Sequence, residues 1–272
     1  MLTVSLRGER TWARGFHVRQ KMATSARTET ATLRAPAGSS ARRWVRRLGT
    51  LLLVCGLAAI AWTATVWLWQ DPVTGLYTWY QQRKLSSSLE GQFADPLNRI
   101  RLPAVASVAA EERAVAAAAA RYRRSAHVGQ AIGRIVVPRL GVHMVLVNGT
   151  DHGSLKKGPG RDLRTYMPGQ GRLVYIAGHR TTYLAPFSDI ERLRRGDRIR
   201  LEMPYATVVY SVTRHQIVPA KDLSVLRSHG REAVELQACH PRFFATHRYI
   251  VYGRRVRIAP HGGRPLTAES PD

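Results

Sequence analysis

Apolar and polar positions change their period twice along the chain. Residues 48–69 hold no charged side chain, and at about 1.5 Å per helical residue they reach across a hydrocarbon layer of roughly 30 Å, which predicts a transmembrane anchor. Residues 70–130 form a stalk that is partly helical, because Ala104–Arg124 is dense in alanine, the strongest helix former. That run reads as a spacer helix, with a packed helix as the alternative. Beyond residue 131 the period drops to two. Ile132–Val137, Val142–Val147, Leu173–Ile176, Arg198–Met203, Thr207–Thr213, Gln216–Val218, Ala233–Cys239 and Arg248–Ile258 each predict a strand. In Arg198–Met203, Ile199, Leu201 and Met203 share one face and the charged residues the other, the alternation of a half-buried antiparallel strand. Pro186–Arg195 departs from this: Phe187, Ile190 and Leu193 recur every three residues between a proline and Gly196, predicting a short helix. Eight strands and one short helix make residues 131–258 a mainly β domain, a compact barrel or sandwich. That count and the lack of a GxGxxG motif exclude a Rossmann unit. Residues 259–272 are a Pro- and Gly-bearing tail.

Charge orients this layout. The chain of 272 residues carries 42 Lys+Arg against 18 Asp+Glu, an excess that selects anionic surroundings. Arg42, Arg43, Arg46 and Arg47 crowd the N-terminal side of the apolar segment, and no further basic residue follows until Arg83. That bias places residues 1–47 in the cytoplasm as a basic tail and the domain outside the cell. Trp62, Trp67, Trp69 and Trp79 lie toward the outer end, where indoles favour the interface. Two alternatives stand beside this reading. Ala59-Ile60-Ala61 fits a cleavage site, although the apolar run continues past it, and Met22 is a second start position. Residues 70–272 hold 31 Lys+Arg and 16 Asp+Glu, a net +15. Outside the cell such a surface meets membrane and envelope polymers rather than nucleic acid. Two cysteines, Cys55 and Cys239, exclude a disulfide scaffold and any CxxC zinc module. Cys55 lies inside the apolar span as a small filler.

An exported domain with one unpaired cysteine calls for a reason. Cys239 ends a strand and is followed by His240-Pro241; proline cannot continue a ladder, so the thiol belongs to the strand's lip. His240, Arg242, His247 and Arg248 surround it with cationic groups, which favour the thiolate, the nucleophilic form. A strand Ile176-Ala177 runs into Gly178-His179-Arg180-Thr181-Thr182, putting His179 at a loop edge where an imidazole can carry a proton. Arg248 returns at hairpin spacing after Cys239 and could hold an oxyanion. Each has a plain alternative: a core cysteine, a surface histidine, one arginine among many.

Together the three are more specific. Gly158-Pro159-Gly160 with Met167-Pro168-Gly169, Ile176-Ala177-Gly178-His179-Arg180-Thr181-Thr182 with Ala185-Pro186-Phe187, and Cys239-His240-Pro241-Arg242-Phe243 followed by Arg248 resemble the sortase family of cysteine transpeptidases, most of all its class E members. The resemblance implies a closed eight-stranded β-barrel. It also implies that Cys239 attacks the threonine carbonyl of an LPXTG- or LAXTG-like sorting signal. His179 would protonate the leaving amine, Arg248 would stabilise the oxyanion, and an amine of a peptidoglycan precursor would release the thioacyl intermediate. The implied partners are sorting-signal-bearing surface proteins and the membrane, and no metal or organic cofactor is required. Tyr183 and Phe187 are candidates for the substrate groove or for packing. Family members usually read Thr-Leu-x-Thr-Cys, whereas Glu235 and Ala238 occupy the threonine positions, so Ala238 offers no hydroxyl beside the reacting carbonyl.

Rival readings fit less well. L,D-transpeptidases place Ser-His-Gly before the cysteine, unlike Leu236-Gln237-Ala238, and papain-like proteases reverse the Cys and His order. Cys239, His240 and His247 could ligate a metal, but adjacent strand residues point to opposite faces. A membrane-anchored basic barrel that binds anionic envelope polymers without catalysis is the alternative from another class.

Overall fold

The computed structural model describes residues 38–68, 72–100, 107–261 and 266–267. Residues 1–37 of the basic tail, residues 69–71, residues 101–106 with the first three of the alanine-rich run, and most of the C-terminal tail lie outside the described residues. Two compact units, Met1–Val54 and Cys55–Asp272, divide within helix α1 (Gly38–Leu68). In α1 the stretch Ser40–Thr65 is long and apolar enough to cross a membrane, and its apolar side chains, Leu51, Leu53 and Ile60 among them, are exposed.

The β domain is a closed barrel. Strands β1 (Ala131–Val137), β2 (Val142–Asn148), β3 (Gly160–Arg161), β4 (Leu173–Ala177), β5 (Arg198–Glu202), β6 (Ala206–Pro219), β7 (Ala233–His240) and β8 (His247–Pro260) follow the spatial order β6-β5-β1-β2-β3-β4-β7-β8. Pairing of β6 with β8 over almost their full lengths closes the ring, and the two-residue β9 (Leu266–Thr267) extends it beside β8. Six of the predicted strands match one element each. The runs Thr207–Thr213 and Gln216–Val218 are one strand, β6, kept in a single ladder by a bulge between Val212 and Arg214. Strand β3 has only Gly160 and Arg161, too few residues to give a period.

Alternation decides what fills the barrel. Ile132, Ile135, Leu146, Val174, Ile176, Ile199, Leu201, Val208, Tyr210, Val234, Leu236 and Val251 turn inward as one buried cluster. The predicted helix over Pro186–Arg195 does not form; only Ile190–Arg192 makes a 3₁₀ turn. Phe187, Ile190 and Leu193 are all buried in the core, so their spacing of three marks anchor points of an irregular loop. The backbone amide of Phe187 donates to the His179 carbonyl at 3.1 Å, which folds the chain back instead of continuing a helix.

Segment 70–130 is not a free-standing spacer. Helix α2 (Pro72–Ala94) lays Leu89 against Ala131 and Val145. Its Gln82 side chain donates to the Val145 and Lys157 carbonyls and accepts from the Val145 amide. In α3 (Val108–Ser125) the stripe Val115, Ala118, Ala119 and Tyr122 joins the main core. Ser107 caps its first turn by accepting from the Ala110 amide. Alanine at 118 and 119 lets the helix lie close to the barrel, and Tyr122 packs edge-on against Tyr205 with ring centroids 5.6 Å apart.

Candidate active site

Three neighbouring strands, β4, β7 and β8, bring the predicted site residues to one rim. β4 and β7 run parallel in constant register from Leu173 opposite Ala233 to Ala177 opposite Gln237. The alignment continues past the end of β4. The Gly178 amide donates to the Gln237 carbonyl at 3.0 Å, and Arg180 Nη1 donates to the Cys239 carbonyl at 3.1 Å. His179 therefore stands abreast of Cys239. On the other side, antiparallel register sets Cys239 directly opposite Arg248. Because Val234, Leu236 and Ala238 face the core, Cys239 and its register partner Arg248 belong to the opposite face of the sheet. Cys239 is half-buried and has no disulfide.

His179 holds its place through its loop. Gly178 is required before it: a Cβ there would lie 2.5 Å from Phe187 Cδ2. After it, Tyr183, Leu184 and Ala185 all take left-handed backbone conformations, which non-glycine residues adopt rarely and at a cost. Hydrogen bonds from the Tyr183 amide to Thr74 Oγ1 (2.9 Å) and from the Ala185 amide to the Thr182 carbonyl (2.9 Å) hold this turn. The Tyr183 ring then covers the imidazole, with centroids 4.9 Å apart. Burial, and secondarily the nearby His152, keeps the His179 pKa below the usual 6.5, so the ring is neutral at pH 7. Its Nε2 is buried with no hydrogen-bond partner among the described residues. Arg248 Nη1 donates to the carbonyls of Ala245 (2.8 Å) and His247 (2.9 Å). No hydrogen bond joins thiol, imidazole and guanidinium to one another among the described residues; the backbone register sets their common level.

The other expected groove residues separate. Tyr183 lies beside the imidazole, whereas Phe187 and Ala238 are fully buried in the core. Arg180, which follows His179 in sequence, has a structural task. It is buried, and besides the Cys239 carbonyl its Nη1 meets His240 Nδ1 at 3.0 Å while Nη2 donates to Glu191 Oε2 at 2.7 Å. It thus fastens the residue after His179 to the backbone of the thiol residue. Arg242 adds an ion pair to Asp189 at 2.6 Å. In sequence, an arginine beside a catalytic candidate does not distinguish a clamp from a solvated charge. The Cys-His-Pro stretch contains a cis peptide between His240 and Pro241.

Two same-face steps below the rim, Glu235 sits between Tyr175 of β4 and Tyr252 of β8. Its side chain is buried with Oε2 unpartnered, and burial pushes its pKa up to about 8 against a smaller opposing effect of Arg214. The carboxyl is therefore neutral at pH 7. Among the described residues no group of three His, Cys, Asp or Glu side chains could hold a metal.

The β domain resembles known proteins. Residues 135–256 match the family model described as a sortase domain. The chain is 33% identical over 132 residues to Sortase D of Bacillus subtilis (strain 168), covering 47% of this chain and 65% of that protein. It is 28% identical over 156 residues to Sortase SrtE1 of Streptomyces coelicolor, covering 50% of this chain and 44% of the relative. The chain thus spans less than two thirds of either relative. A solved structure of a Clostridium perfringens Sortase D5 transpeptidase superposes with a TM-score of 0.52 at 21% identity, over 65% of this chain and 99% of that one, a likeness of fold.

Proposed function

We propose that this chain, whose residues 135–256 match the sortase domain model, is a sortase-type, membrane-anchored cysteine transpeptidase acting outside the cell through Cys239, His179 and Arg248. The alignment of these residues across three adjacent strands at one rim carries the reading. Cys239 Sγ attacks the carbonyl carbon of the threonine in an LPXTG- or LAXTG-like sorting signal. His179, neutral at rest, takes the thiol proton as attack begins and delivers it to the departing glycine amine. A thioester forms and the Thr–Gly amide bond breaks. An acceptor amine then attacks the thioester, gives its proton to His179, and leaves joined to the threonine while the thiol is restored. Arg248 supports the oxyanion in both halves, for which its guanidinium must swing from the Ala245 and His247 carbonyls toward the substrate. In this reading the acceptor is a peptidoglycan precursor amine and the products are surface proteins joined to the wall. The Cys239-His240-Pro241 triplet favours class E. Arg42, Arg43, Arg46 and Arg47 place the N-terminus in the cytoplasm.

The test uses the full chain in detergent, because α2 and α3 pack on the barrel. Incubation with a library of sorting pentapeptides and a glycine-based amine should yield exchanged products by mass spectrometry. Cys239→Ala should yield none, and turnover retained by that variant would sink the assignment.

A further inference from the structure

A broad cleft of the domain has a lining that does not include the thiol. It has a volume of about 1090 Å³, and eight arginines line it against two carboxylates, Glu232 and Glu235. Its floor is the outer face of β5, β6 and β8. Arg198 of β5 is opposite Ser211 of β6, which is opposite Arg254 of β8; Arg200 is opposite Val209, which is opposite Arg257. Two strand spacings put the arginines of each row about 10 Å apart, and the two rows are about 7 Å from one another. A bulge makes this possible. Residues 254 and 257 would face opposite ways in a regular strand, but the irregularity between Val209 and Tyr210 leaves Val256 unpaired and turns both arginines outward. Arg227 and Arg231, from the β6–β7 loop, form the wall above.

The acidic groups do not neutralise this array. Glu232 is buried and already engaged by the Gly169 amide at 2.7 Å, the Tyr210 hydroxyl at 2.8 Å and Arg255. Glu235 is protonated at neutral pH because burial raises its pKa. Arg200 pairs with Glu202, and Arg214 stacks over Tyr252. Arg198, Arg227, Arg231, Arg254 and Arg257 are exposed and make no ion pair among the described residues. Five unpaired guanidinium groups around one concave surface repel one another and focus a positive potential into it. Arg254 is six residues along β8 from Arg248, about 20 Å at strand rise, so the cleft is a separate place from the rim.

We propose that this cleft is a second binding site, one that takes an extended phosphate-bearing polyanion. The rows of forked guanidinium groups suit phosphate oxygens arrayed along a chain, since each fork can donate two parallel hydrogen bonds to one phosphate. Such a site holds the domain against a phosphate-rich polymer while the rim stays open to peptide.

The test measures binding of labelled long-chain inorganic polyphosphate to the full chain in detergent, by fluorescence anisotropy. Affinity should fall steeply with salt, as expected when several phosphates are neutralised. Arg254→Glu with Arg257→Glu should weaken binding at least about tenfold and leave peptide cleavage unchanged, because Arg254 lies about 20 Å along β8 from Arg248. The charge-matched pair Arg121→Glu with Arg124→Glu, exposed on α3, should change affinity less than about twofold, by general charge alone. Arg254→Gln with Arg257→Gln repeats the measurement should the reversal disturb folding. Equal losses for the cleft and helix pairs would reduce the effect to overall charge and overturn the proposal. So would competition by poly-glutamate as strong as by polyphosphate, which would remove the preference for phosphate.

Discussion

The rim and the cleft occupy the same sheet and solve opposite problems. At the rim, three unlike groups stand in one row, half-buried, with their level set by backbone register and by the Arg180 clamp. In the cleft, many like groups stand exposed on strands and a loop, and five of the arginines make no ion pair among the described residues. Bond making needs few groups held to within fractions of an ångström. Attraction of a flexible anion needs many charges and tolerates motion. The difference teaches that excess charge and the proposed catalytic residues are separable here, so each can be removed without the other.

The sharpest break in that comparison comes from the rim. Cys239→Ala should abolish cleavage of a sorting peptide, His179→Ala should lower turnover by about 10²–10⁴-fold, and Arg248→Lys by about 10²–10³-fold. Polyphosphate binding, read in the same preparations, should be unaltered in all three.

Arg180 is next. Arg180→Gln frees the Cys239 carbonyl and leaves Glu191 without its buried partner. We expect kcat to fall about tenfold with little change in KM, as for a group that positions rather than binds. Arg180→Lys should restore only part, since lysine lacks the planar fork that meets carbonyl, imidazole and carboxylate together. A change in KM alone would move Arg180 from positioning to substrate contact.

Glu235 gives a smaller effect with a definite sign. Its pKa is raised from 4.5 to about 8 in the folded state, so the native protein binds the extra proton between those values. Its contribution to stability is present below pH 4.5 and is lost as pH rises through 8. Glu235→Gln should therefore gain on the natural protein in thermal melts between pH 5 and pH 9, by on the order of 5 °C. A constant difference across that range would place the carboxyl in water.

The smallest expected effect is on His179. Burial holds its pKa below 6.5, and Tyr183→Ala uncovers the ring. NMR titration of the imidazole should then show its midpoint moving up toward 6.5, with the acidic limb of the rate profile moving with it. An unmoved midpoint would mean that the loop, not the Tyr183 ring, keeps water out.

What the sequence by itself determined were the features written in local pattern. The apolar span, strands of period two and the lip position of Cys239 before Pro241 depend on neighbouring residues only, and so does the helix in the alanine-rich run. Cys239, His179 and Arg248 were legible as types in suitable local settings. Tertiary structure decided what depends on distant partners. The period of three in Phe187, Ile190 and Leu193 is the same in a helix as in a loop pinned at three points, and only the return of Phe187 to the His179 carbonyl separates them. An alanine stripe has too little side chain to show whether it faces water or a barrel, and α3 lies against Tyr205 and the core. Ala238 precedes the thiol in sequence, but its parity on β7 turns it inward. The arginine grid was invisible for a related reason: a bulge and two register relations bring residues 198 and 254 to one surface. Sequence fixes which groups are present and how each segment alternates; register between segments, set by sheet closure, fixes which of them meet.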